Sequence, residues 1–471
     1  MKIRQIIEAR ICTLKIYDKN GQSIDTQRCI HEYHCIRNQL LHMYTEDDIV
    51  GIRFEKDYRY LLTLLACMSI ELPYIPLSID WPQERINQIA KLSGCHVIEQ
   101  EMFEYDSAKC SASQKSFQNE TLYIIFTSGS TGAPKGVKIS RNAYLDFLLW
   151  SDEYFTEITS EDKMLLTTDF TFDISLVDIS LLLTKDLTLY MSNFNNNVFK
   201  LLFELEKYNI TTHSTVPYNY SMIMHDDVYS KANLSALRHV MIGGARFPNN
   251  LYANFQNLLP ECSVYNFYGP TEATIYCSIH KFEYSKDELH KNNITIGKPF
   301  YNNEFTIIDD ELFISGPQLM SGYLHNPEKT EEALVVIDGK IYYKSGDVVF
   351  KNESGYYFIV GRRDDTIKVT GYRVNLSDID SYILQLAHIS NVATIAIENT
   401  TSEHDLVSYM ILGDGTISAR EIKASLKEIM PGYQIPKYIE IVDNFPLNNS
   451  GKICKLTLKQ NYLDKKLRRR K

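Results

Sequence analysis

Short runs of β-branched and aromatic residues alternate with amphipathic stretches along the first part of the chain. Because sequential parallel strands need a crossover connection, which is usually a helix, this alternation predicts an α/β protein with a parallel sheet. The predicted strands are 121–126, 163–167, 187–191 and 239–242, and the predicted helices between them are 142–154 and 197–208.

The pattern of predicted elements changes further along the chain. From about residue 294 to 360, short strands and glycine-bearing turns follow one another, as in ELFISGPQLMSGY, which indicates a small β-rich subdomain. After residue 365 the pattern is strand, helix and strand, followed by a helix at 418–429. We therefore predict an N-terminal core of residues 1–362 and a C-terminal domain of residues 363–471.

Composition and charge exclude several classes of protein. The net charge is -10 at pH 7, whereas a general nucleic-acid binder needs a basic surface. The first residues carry charges inside an apolar stretch, which is untypical of a secretory signal, and the longest apolar run, near residues 60–70, is too short to span a bilayer. Nine cysteines without a CxxC pair indicate free thiols in a reducing compartment. We therefore expect a cytoplasmic protein with no nucleic-acid partner and no membrane segment.

The segment TLYIIFTSGSTGAPKG, residues 121–136, joins an apolar strand to a loop of glycines and hydroxyl residues that ends in Lys135. Glycines let backbone N–H groups approach an anion closely, and the hydroxyls of Ser128, Ser130 and Thr131 add donors. The P-loop of NTPases differs, because its lysine directly follows the last glycine. A flexible surface loop is the alternative interpretation of a glycine-rich stretch alone. The full string, with its strand and its lysine, predicts a site for a polyphosphate.

This loop and five further motifs resemble, in their order, the signatures of the adenylate-forming superfamily, which includes acyl-CoA synthetases, firefly luciferases and the adenylation domains of nonribosomal peptide synthetases. The other motifs are NFYGPTEAT at 266–274, YKSGD at 343–347, GRRDDTIKVTGYRV at 361–374, MPGYQIP at 430–436 and NNSGKI at 448–453, with a looser match at 64–86. The resemblance covers about residues 40–460. It implies an α/β fold with a large N-terminal adenylation domain, made of stacked α/β sheets and a small β-rich subdomain, and a small mobile α+β C-terminal domain.

The resemblance implies ATP and Mg²⁺ as cofactors. Adenylation joins a carboxylate to the α-phosphate of ATP and expels pyrophosphate, so the site has to neutralise and align two anions. Glu272 matches the magnesium-binding glutamate of the superfamily, and Thr271 matches the residue that bonds the α-phosphate; a solvated turn is the alternative for this segment. The other residues that the resemblance assigns to the nucleotide are Thr127, Ser128, Gly129, Ser130, Thr131, Gly132 and Lys135 on the phosphates, Tyr268 on the adenine, and Asp347 and Arg362 on the ribose.

Lys452 lies on the glycine-bearing loop NNSGKI. The superfamily uses the matching lysine to stabilise negative charge as it moves between the carboxylate and the phosphate, which is an electrostatic role. The alternative is a solvated lysine in a turn, which is the more common environment of this residue type. The position of the loop in the chain, which matches the superfamily, favours the catalytic role. Asp364 matches the superfamily hinge, at which the small domain rotates after adenylation and presents its other face for attack by a thiol.

The segment FDISLVDI, residues 172–179, resembles the amino-acid-binding segment of peptide-synthetase adenylation domains and also the D-alanine–carrier protein ligases. Asp173 falls where those enzymes hold the substrate ammonium group. A buried carboxylate is costly unless it meets a cation, so this position implies an amine-bearing substrate; a helix cap is the alternative role. The other matched positions predict a substrate pocket with an almost wholly apolar wall, and the bulky rings of Phe267 and Tyr276 should shorten that pocket. The predicted wall residues are Ile174, Val177, Ser214, Met241, Gly243, Phe267, Ile275 and Tyr276.

These matches predict an enzyme that activates a small neutral amino acid as its aminoacyl-AMP and transfers it to the phosphopantetheine arm of a carrier protein. No carrier domain is recognisable in the sequence, so we expect a free-standing enzyme that meets a peptidyl or acyl carrier protein in trans. Two alternatives stay open: an acyl-CoA synthetase of the same fold, and a catalytically inactive binding or scaffold protein. Asp173 argues against the first alternative, and the intact set of charged motif residues argues against the second.

Overall fold

The structure, a computed structural model, describes residues 2–105, 115–128, 134–192, 194, 197–224, 226–290, 293–363, 366–369, 372–398, 404–413, 417–430, 432–448 and 451–468. It has an α/β fold with a large N-terminal part and a smaller C-terminal part, as the sequence predicts. Within these ranges, no helix combines the length and the apolar character that a bilayer crossing requires.

The larger sheet of the N-terminal part is mainly parallel. From Ser263–Tyr268 to Lys15–Tyr17 its strands run parallel, and their burial fits the apolar runs in the sequence. Because parallel strands share one carboxyl edge, the segments that follow several of these strands meet there. In spatial order the strands are Lys298–Pro299, Ser278–Lys281, Ser263–Tyr268, His239–Ile242, Thr212–Thr215, Lys163–Leu166, Thr188–Met191, Lys15–Tyr17 and Ser23–Ile24.

A second sheet shares the main hydrophobic core with the first. Its antiparallel hairpin, Thr121–Ser128 and Pro134–Ser140, pairs Thr127 with Lys135 and so brings both ends of the glycine-rich loop together. The sequence predicted the first of these strands but not the return strand, because a proline, a glycine and two lysines hide its alternating pattern. In spatial order the strands are Gly322–Tyr323, Pro134–Ser140, Thr121–Ser128, Tyr74–Ser78, Val50–Phe54 and His96–Glu99.

Helices of the N-terminal part bury apolar faces in the same core. Tyr58–Ile70 is buried along almost its whole length, and the carboxylate of Asp57 caps it by accepting hydrogen bonds from Arg59 and Tyr60 N–H groups. The helices are Ile3–Ile11, Thr26–Met43, Tyr58–Ile70, Gln83–Ser93, Arg141–Tyr154, Ser175–Lys185, Val198–Lys207, Pro217–Ile223, Asp226–Tyr229, Asn249–Leu258 and Pro327–Ala333, with 3₁₀ turns at Gln100–Met102, Thr271–Ala273 and Lys286–Glu288.

An antiparallel sheet occupies much of the range in which the sequence predicts a β-rich subdomain. Its pairing sets Asp347 directly opposite Arg362 on adjacent strands, which matters for the site described below. Its strands are Glu304–Ile308, Glu311–Ser315, Lys340–Lys351, Leu334–Ile337 and Tyr357–Arg362, and a separate pair is formed by Leu289–His290 and Asn293–Ile294.

The C-terminal part has its own clusters of buried apolar side chains. Helix Ala419–Ile429 begins at a capping box formed by Ser418 and Glu421, close to the predicted helix. The boundary between residues 362 and 363 stays a prediction. The elements are the hairpin Thr366–Val369 and Tyr372–Asn375, the sheet of Ile389–Glu398, His404–Leu412 and Tyr438–Ile441, the helices Leu376–Ile383, Ala419–Ile429 and Lys455–Arg468, and the 3₁₀ turn Gly432–Gln434.

The prediction that the cysteines are free thiols is wrong at one residue. Cys35 is disulfide-bonded, and its partner lies outside the described residues. A disulfide depends on the approach of two cysteines in space, which their spacing in a sequence does not show. The cytoplasmic location loses this support and stays a prediction. The free cysteines of the described chain are Cys12, Cys29, Cys67, Cys95, Cys262, Cys277 and Cys454.

Asp162 links a strand of the larger sheet to its neighbour, and its buried carboxylate offers a test of the fold. It accepts hydrogen bonds from Thr159 N–H at 2.9 Å and from Thr211 Oγ1 at 2.6 Å, and it pairs with Arg238 at 3.3 Å. We expect Asp162→Ala to lower the free energy of unfolding by about 3 kcal/mol, because buried donors lose their acceptor. Arg238→Ala should cost less, since that guanidinium is half exposed. Urea unfolding of both variants checks this, and equal losses would contradict it.

Candidate active site

A cavity of about 390 Å³, here called the main cavity, lies between the carboxyl end of strand Ser263–Tyr268, the strand Tyr357–Arg362 and the C-terminal loop that carries Lys452. Ligand sites in open α/β sheets lie at this edge. Its walls combine apolar groups with a few convergent polar ones: Gly244, Ala245, Arg246, Phe247, Asn266, Phe267, Tyr268, Gly269, Pro270, Asn293, Ile294, Ile296, Asp347, Ile359, Val360, Gly361, Arg362, Ser377 and Lys452.

Tyr268, Asp347 and Arg362 form a hydrogen-bonded row along one wall of the main cavity. Tyr268 Oη donates to Asp347 Oδ2 at 2.5 Å, and Arg362 Nη1 donates to Asp347 Oδ1 at 3.0 Å. Burial raises the pKa of the Tyr268 hydroxyl well above its usual value, and the carboxylate of Asp347 raises it further. Tyr268 therefore remains a proton donor at neutral pH, and Asp347, which is 6% exposed, is held as a fixed acceptor.

Glu272, Lys135 and Thr127 face a more open cavity of about 540 Å³, here called the outer cavity. Tyr323 Oη donates to Glu272 Oε1 at 2.8 Å, and Lys135 Nζ lies 5.2 Å from the centroid of the same tyrosine ring. Arg362 lines both cavities, so the two adjoin. The arrangement places a carboxylate, an ammonium group and a hydroxyl in one space next to the main cavity.

The backbone turns sharply two residues after Glu272. Thr274 has a φ of +53° and Ile275 a φ of +73°, in the left-handed region that β-branched residues rarely adopt. Each such residue costs about 1–3 kcal/mol, so the surrounding structure has to hold the turn. It does so through Met320 N–H, which donates to the Glu272 carbonyl at 2.8 Å, and through the Thr274 hydroxyl, which donates to the Gln318 carbonyl. The turn directs the side chain of Ile275 into the core.

Lys452 lines the main cavity, and Asp173 lies close enough for the two charges to influence each other. Burial raises the pKa of Asp173, while a hydrogen bond from Thr271 and the charge of Lys452 oppose that rise. Surrounding protein atoms lower the pKa of Lys452, although its side chain keeps contact with solvent through the cavity, and Asp173 opposes this shift. Asp173 is partly buried and Lys452 is exposed to solvent, and their opposite charges favour the ionised form of each. The helix that follows has Ile174 at its N-cap, without a side-chain cap hydrogen bond from that residue.

The wall residues predicted from the motifs cluster beside Asp173. The Tyr276 ring stacks on Phe267 at a centroid distance of 4.6 Å. A Cβ atom on Gly243 would lie only 2.4 Å from the Tyr276 hydroxyl oxygen, so glycine alone fits there. The Tyr276 ring thus occupies the space between Gly243 and Phe267. The wall residues other than glycine are at most 4% exposed: Ile174, Val177, Ser214, Met241, Phe267, Ile275 and Tyr276.

Some predicted residues fall beyond what the structure describes. Of Ser128 only the backbone is described, and it pairs with Pro134 across the hairpin. The predicted residues that lie outside the described ranges are Gly129, Ser130, Thr131 and Gly132 of the loop and Asp364 at the predicted hinge.

The sequence interpretation missed two residues of the site, Tyr323 and Arg246. Tyr323 lies in the turn sequence SGY, and nothing local marks it as the partner of Glu272. Arg246 lines the main cavity just after a glycine pair at the end of a predicted parallel strand. A charged residue at that edge of the sheet is a signal that could have identified it.

Comparisons with known proteins match one family over much of the chain. A family model described as AMP-binding enzyme matches residues 99–324, and one described as AMP-binding enzyme C-terminal domain matches residues 378–452. Bacitracin synthase 1 of Bacillus licheniformis is 30% identical over 430 residues, which cover 87% of this chain and 8% of the synthase. The chain thus spans less than a tenth of that relative's length. The D-alanine–D-alanyl carrier protein ligase of the same species is 29% identical over 437 residues, which cover 85% of this chain and 86% of the ligase.

A solved structure shares the fold. The four-domain nonribosomal peptide synthetase holo-AB3403, bound to AMP and glycine, superposes with a TM-score of 0.80 at 21% identity, over 96% of this chain and 36% of that one. At this identity the likeness concerns the fold alone. The family assignment rests instead on the two models, which match consecutive parts of the chain and together span more than half of it. This protein belongs to the AMP-binding, adenylate-forming family of enzymes.

Proposed function

We propose that the protein activates a small neutral amino acid with ATP, forms the aminoacyl-AMP with release of pyrophosphate, and passes the aminoacyl group to the phosphopantetheine thiol of a carrier protein in trans. The observation that carries this proposal is the place of Asp173, a partly buried carboxylate near Thr271 and Lys452. A carboxylate in such a place is stabilised when a cation binds next to it. The ammonium group of an amino acid supplies that cation.

The two adjoining cavities suit the two halves of ATP. In the main cavity Tyr268 offers an aromatic face for the adenine, and Asp347, fixed by Arg362, can accept hydrogen bonds from the ribose hydroxyls. In the outer cavity Lys135 supplies positive charge and Thr127 a hydroxyl donor for the phosphates. Because Arg362 lines both spaces, one ligand can occupy them together.

Glu272 suits a magnesium ligand. Tyr323 holds the carboxylate by donating to one of its oxygens, and the group faces the outer cavity, where the phosphates would lie. A hard cation prefers such carboxylate oxygen, with water and phosphate oxygens completing its shell. When bound, Mg²⁺ supplies positive charge that offsets the triphosphate. The part played by the protein is to present a carboxylate that is already oriented.

Lys452 is placed to act on the adenylation step. In that step a carboxylate oxygen of the amino acid attacks the α-phosphorus, and the bond to pyrophosphate breaks. Negative charge moves between the two reactants, and a preorganised ammonium group stabilises both ends of that movement. Thr271, which bonds Asp173, lies in the same place and can orient the α-phosphate. The reaction needs no covalent intermediate on the enzyme.

The size of the substrate follows from Tyr276 and Gly243. The Tyr276 ring fills the space beyond Asp173 up to the α-carbon of Gly243, and Phe267 stacks on its other side. A wall of this kind accepts a methyl or hydroxymethyl group and rejects larger side chains. Alanine of either hand, serine and a small β-amino acid fit these limits.

The acceptor is proposed from the relatives. The carrier protein ligase that matches most of this chain acts, by its name, on a carrier protein, and we extend that acceptor to this protein. The competing acceptor is free coenzyme A, which would make the protein an acyl-CoA synthetase. Magnesium dependence and a cytoplasmic location belong to the same proposal.

The first prediction from the proposed function concerns Lys452. Lys452→Ala should lower the rate of adenylation by about two to three orders of magnitude, the effect of removing a preorganised charge from the transition state. Thioester transfer from supplied aminoacyl-AMP should be affected much less. ATP–pyrophosphate exchange measures the first half-reaction, and mass spectrometry of the loaded carrier measures the second. Equal losses in both would refute the assigned role.

The second prediction concerns Asp173. Asp173→Ala should lower the specificity constant for alanine by about two to four decades, because the substrate ammonium loses its counter-charge. Propionate, which has the same size without the amine, should lose nothing in the variant. Measuring both substrates with both proteins gives a double-mutant cycle. Asp173→Asn keeps the shape and removes the charge, so it serves as the matched control. If alanine and propionate suffer equally, Asp173 has a structural role only.

The third prediction concerns the acceptor. At equal concentration, a phosphopantetheinylated carrier protein should be loaded at least tenfold faster than free coenzyme A, because only the carrier can add a protein–protein interface to the same thiol arm. Loading is followed by mass spectrometry of both acceptors in competition. A preference for coenzyme A would move the protein to the synthetase branch of the family.

A further inference from the structure

Arg246 connects the two parts of the molecule at the rim of the main cavity. It follows a strand of the large sheet, and its guanidinium reaches helix Leu376–Ile383 of the C-terminal part. Arg246 Nη1 donates to the carbonyl oxygen of Ser377 at 3.1 Å and to the hydroxyl of Ser381. Nη2 donates to the side-chain oxygen of Asn293, on the N-terminal side. One side chain thus bonds acceptors on both parts of the protein.

The acceptors are arranged for a guanidinium. Ser377 and Ser381 lie one helical turn apart, and Ser381 Oγ donates to the Ser377 carbonyl at 2.6 Å, so both oxygens face the same space. Asn293 is 8% exposed, which fixes the third acceptor. A planar fork of N–H groups can serve all three at once, whereas the single ammonium of a lysine cannot match their directions.

The bridge lies next to Lys452 in space. Arg246 is two residues after Gly244, and a Cβ atom on Gly244 would be 3.3 Å from Lys452 Cε. Lys452 therefore passes directly over the segment from which Arg246 reaches out. A second contact follows in the same segment, where Asn250 Nδ2 donates to the Ser390 carbonyl at 3.1 Å. These contacts hold the C-terminal part in the position in which its lysine enters the main cavity.

We propose that Arg246 is a positioning residue for adenylation, an interdomain bridge that stabilises the arrangement in which Lys452 faces the nucleotide. Its kinetic consequence rests on the proposed function. Arg246 need not touch the substrate, since it acts through the placement of the loop that carries Lys452. Because thioester transfer uses another arrangement of the C-terminal part in this proposal, losing the bridge penalises the first half-reaction and spares the second.

Kinetics of both half-reactions test the bridge. In Arg246→Ala we expect the kcat of alanine-dependent ATP–pyrophosphate exchange to fall about tenfold to a hundredfold, the size expected from losing hydrogen bonds to a charged group, with little change in the KM for alanine. Carrier loading from supplied alanyl-AMP should stay at the wild-type rate. Arg246→Lys should restore part of the rate. The matched control is Arg53→Ala, which removes an arginine paired with Glu99 on the other sheet and should change neither step. Unchanged exchange, or equal losses in both steps, would overturn the proposal.

A cross-link measures the same bridge without relying on activity. Asn250→Cys and Ser390→Cys place two thiols at the second contact between the parts, and their disulfide forms on mild oxidation only while the parts are in this arrangement. Adding Arg246→Ala should slow this cross-linking several-fold, measured by mass spectrometry of the joined peptides. An unchanged rate would overturn the bridge. If the wild type activates no amino acid and cross-linking still depends on Arg246, the proposed function fails and the bridge stands.

Discussion

The attraction between Asp173 and Lys452 is the interaction on which the rest of the site depends. Asp173 is partly buried, Lys452 reaches it from an exposed loop, and the charge of each favours the ionised form of the other. The carboxylate comes from the N-terminal part and the ammonium from the C-terminal part, so neither part contains a balanced site alone. Substrate binding would add an ammonium next to Asp173 and release Lys452 to act on the negative charge of the reacting groups. The same two charges would thereby link recognition of the amino acid to assembly of the catalytic site.

Much of the fold could be predicted from local patterns. Buried parallel strands are short apolar runs, so the sequence HVMI predicts the strand His239–Ile242 with its observed bounds. The helical periodicity of the sequence predicts the helix Arg141–Tyr154 to within one residue. The strand Pro134–Ser140 was missed because its alternation is carried by a proline, a glycine and charged residues. Its identity as a strand comes from pairing with Thr121–Ser128, which a local pattern does not contain.

The site likewise contains residues that the sequence predicts and residues that it does not. The motifs placed Tyr268, Asp347 and Arg362 near one another only by resemblance, and the structure gives the physical reason: adjacent antiparallel strands set Asp347 opposite Arg362, and the end of a parallel strand carries Tyr268 to both. Tyr323 could not be found from the sequence, because its role is defined by a contact with a residue 51 positions away. Interactions between distant residues leave no trace in composition or periodicity.

The left-handed turn at Thr274 and Ile275 determines how the specificity of this site can be exchanged between relatives. The turn delivers wall residues to the pocket, but its strain is offset by hydrogen bonds with Gln318 and Met320, which belong to a distant segment of the chain. If only the segment with the wall residues were moved into a relative, its left-handed turn would lack the hydrogen bonds that offset its strain. An exchange of specificity by segment replacement therefore has to include both the turn and the distant segment that contains Gln318 and Met320. Single replacements of wall side chains escape this requirement, because they leave the turn and its partners in place.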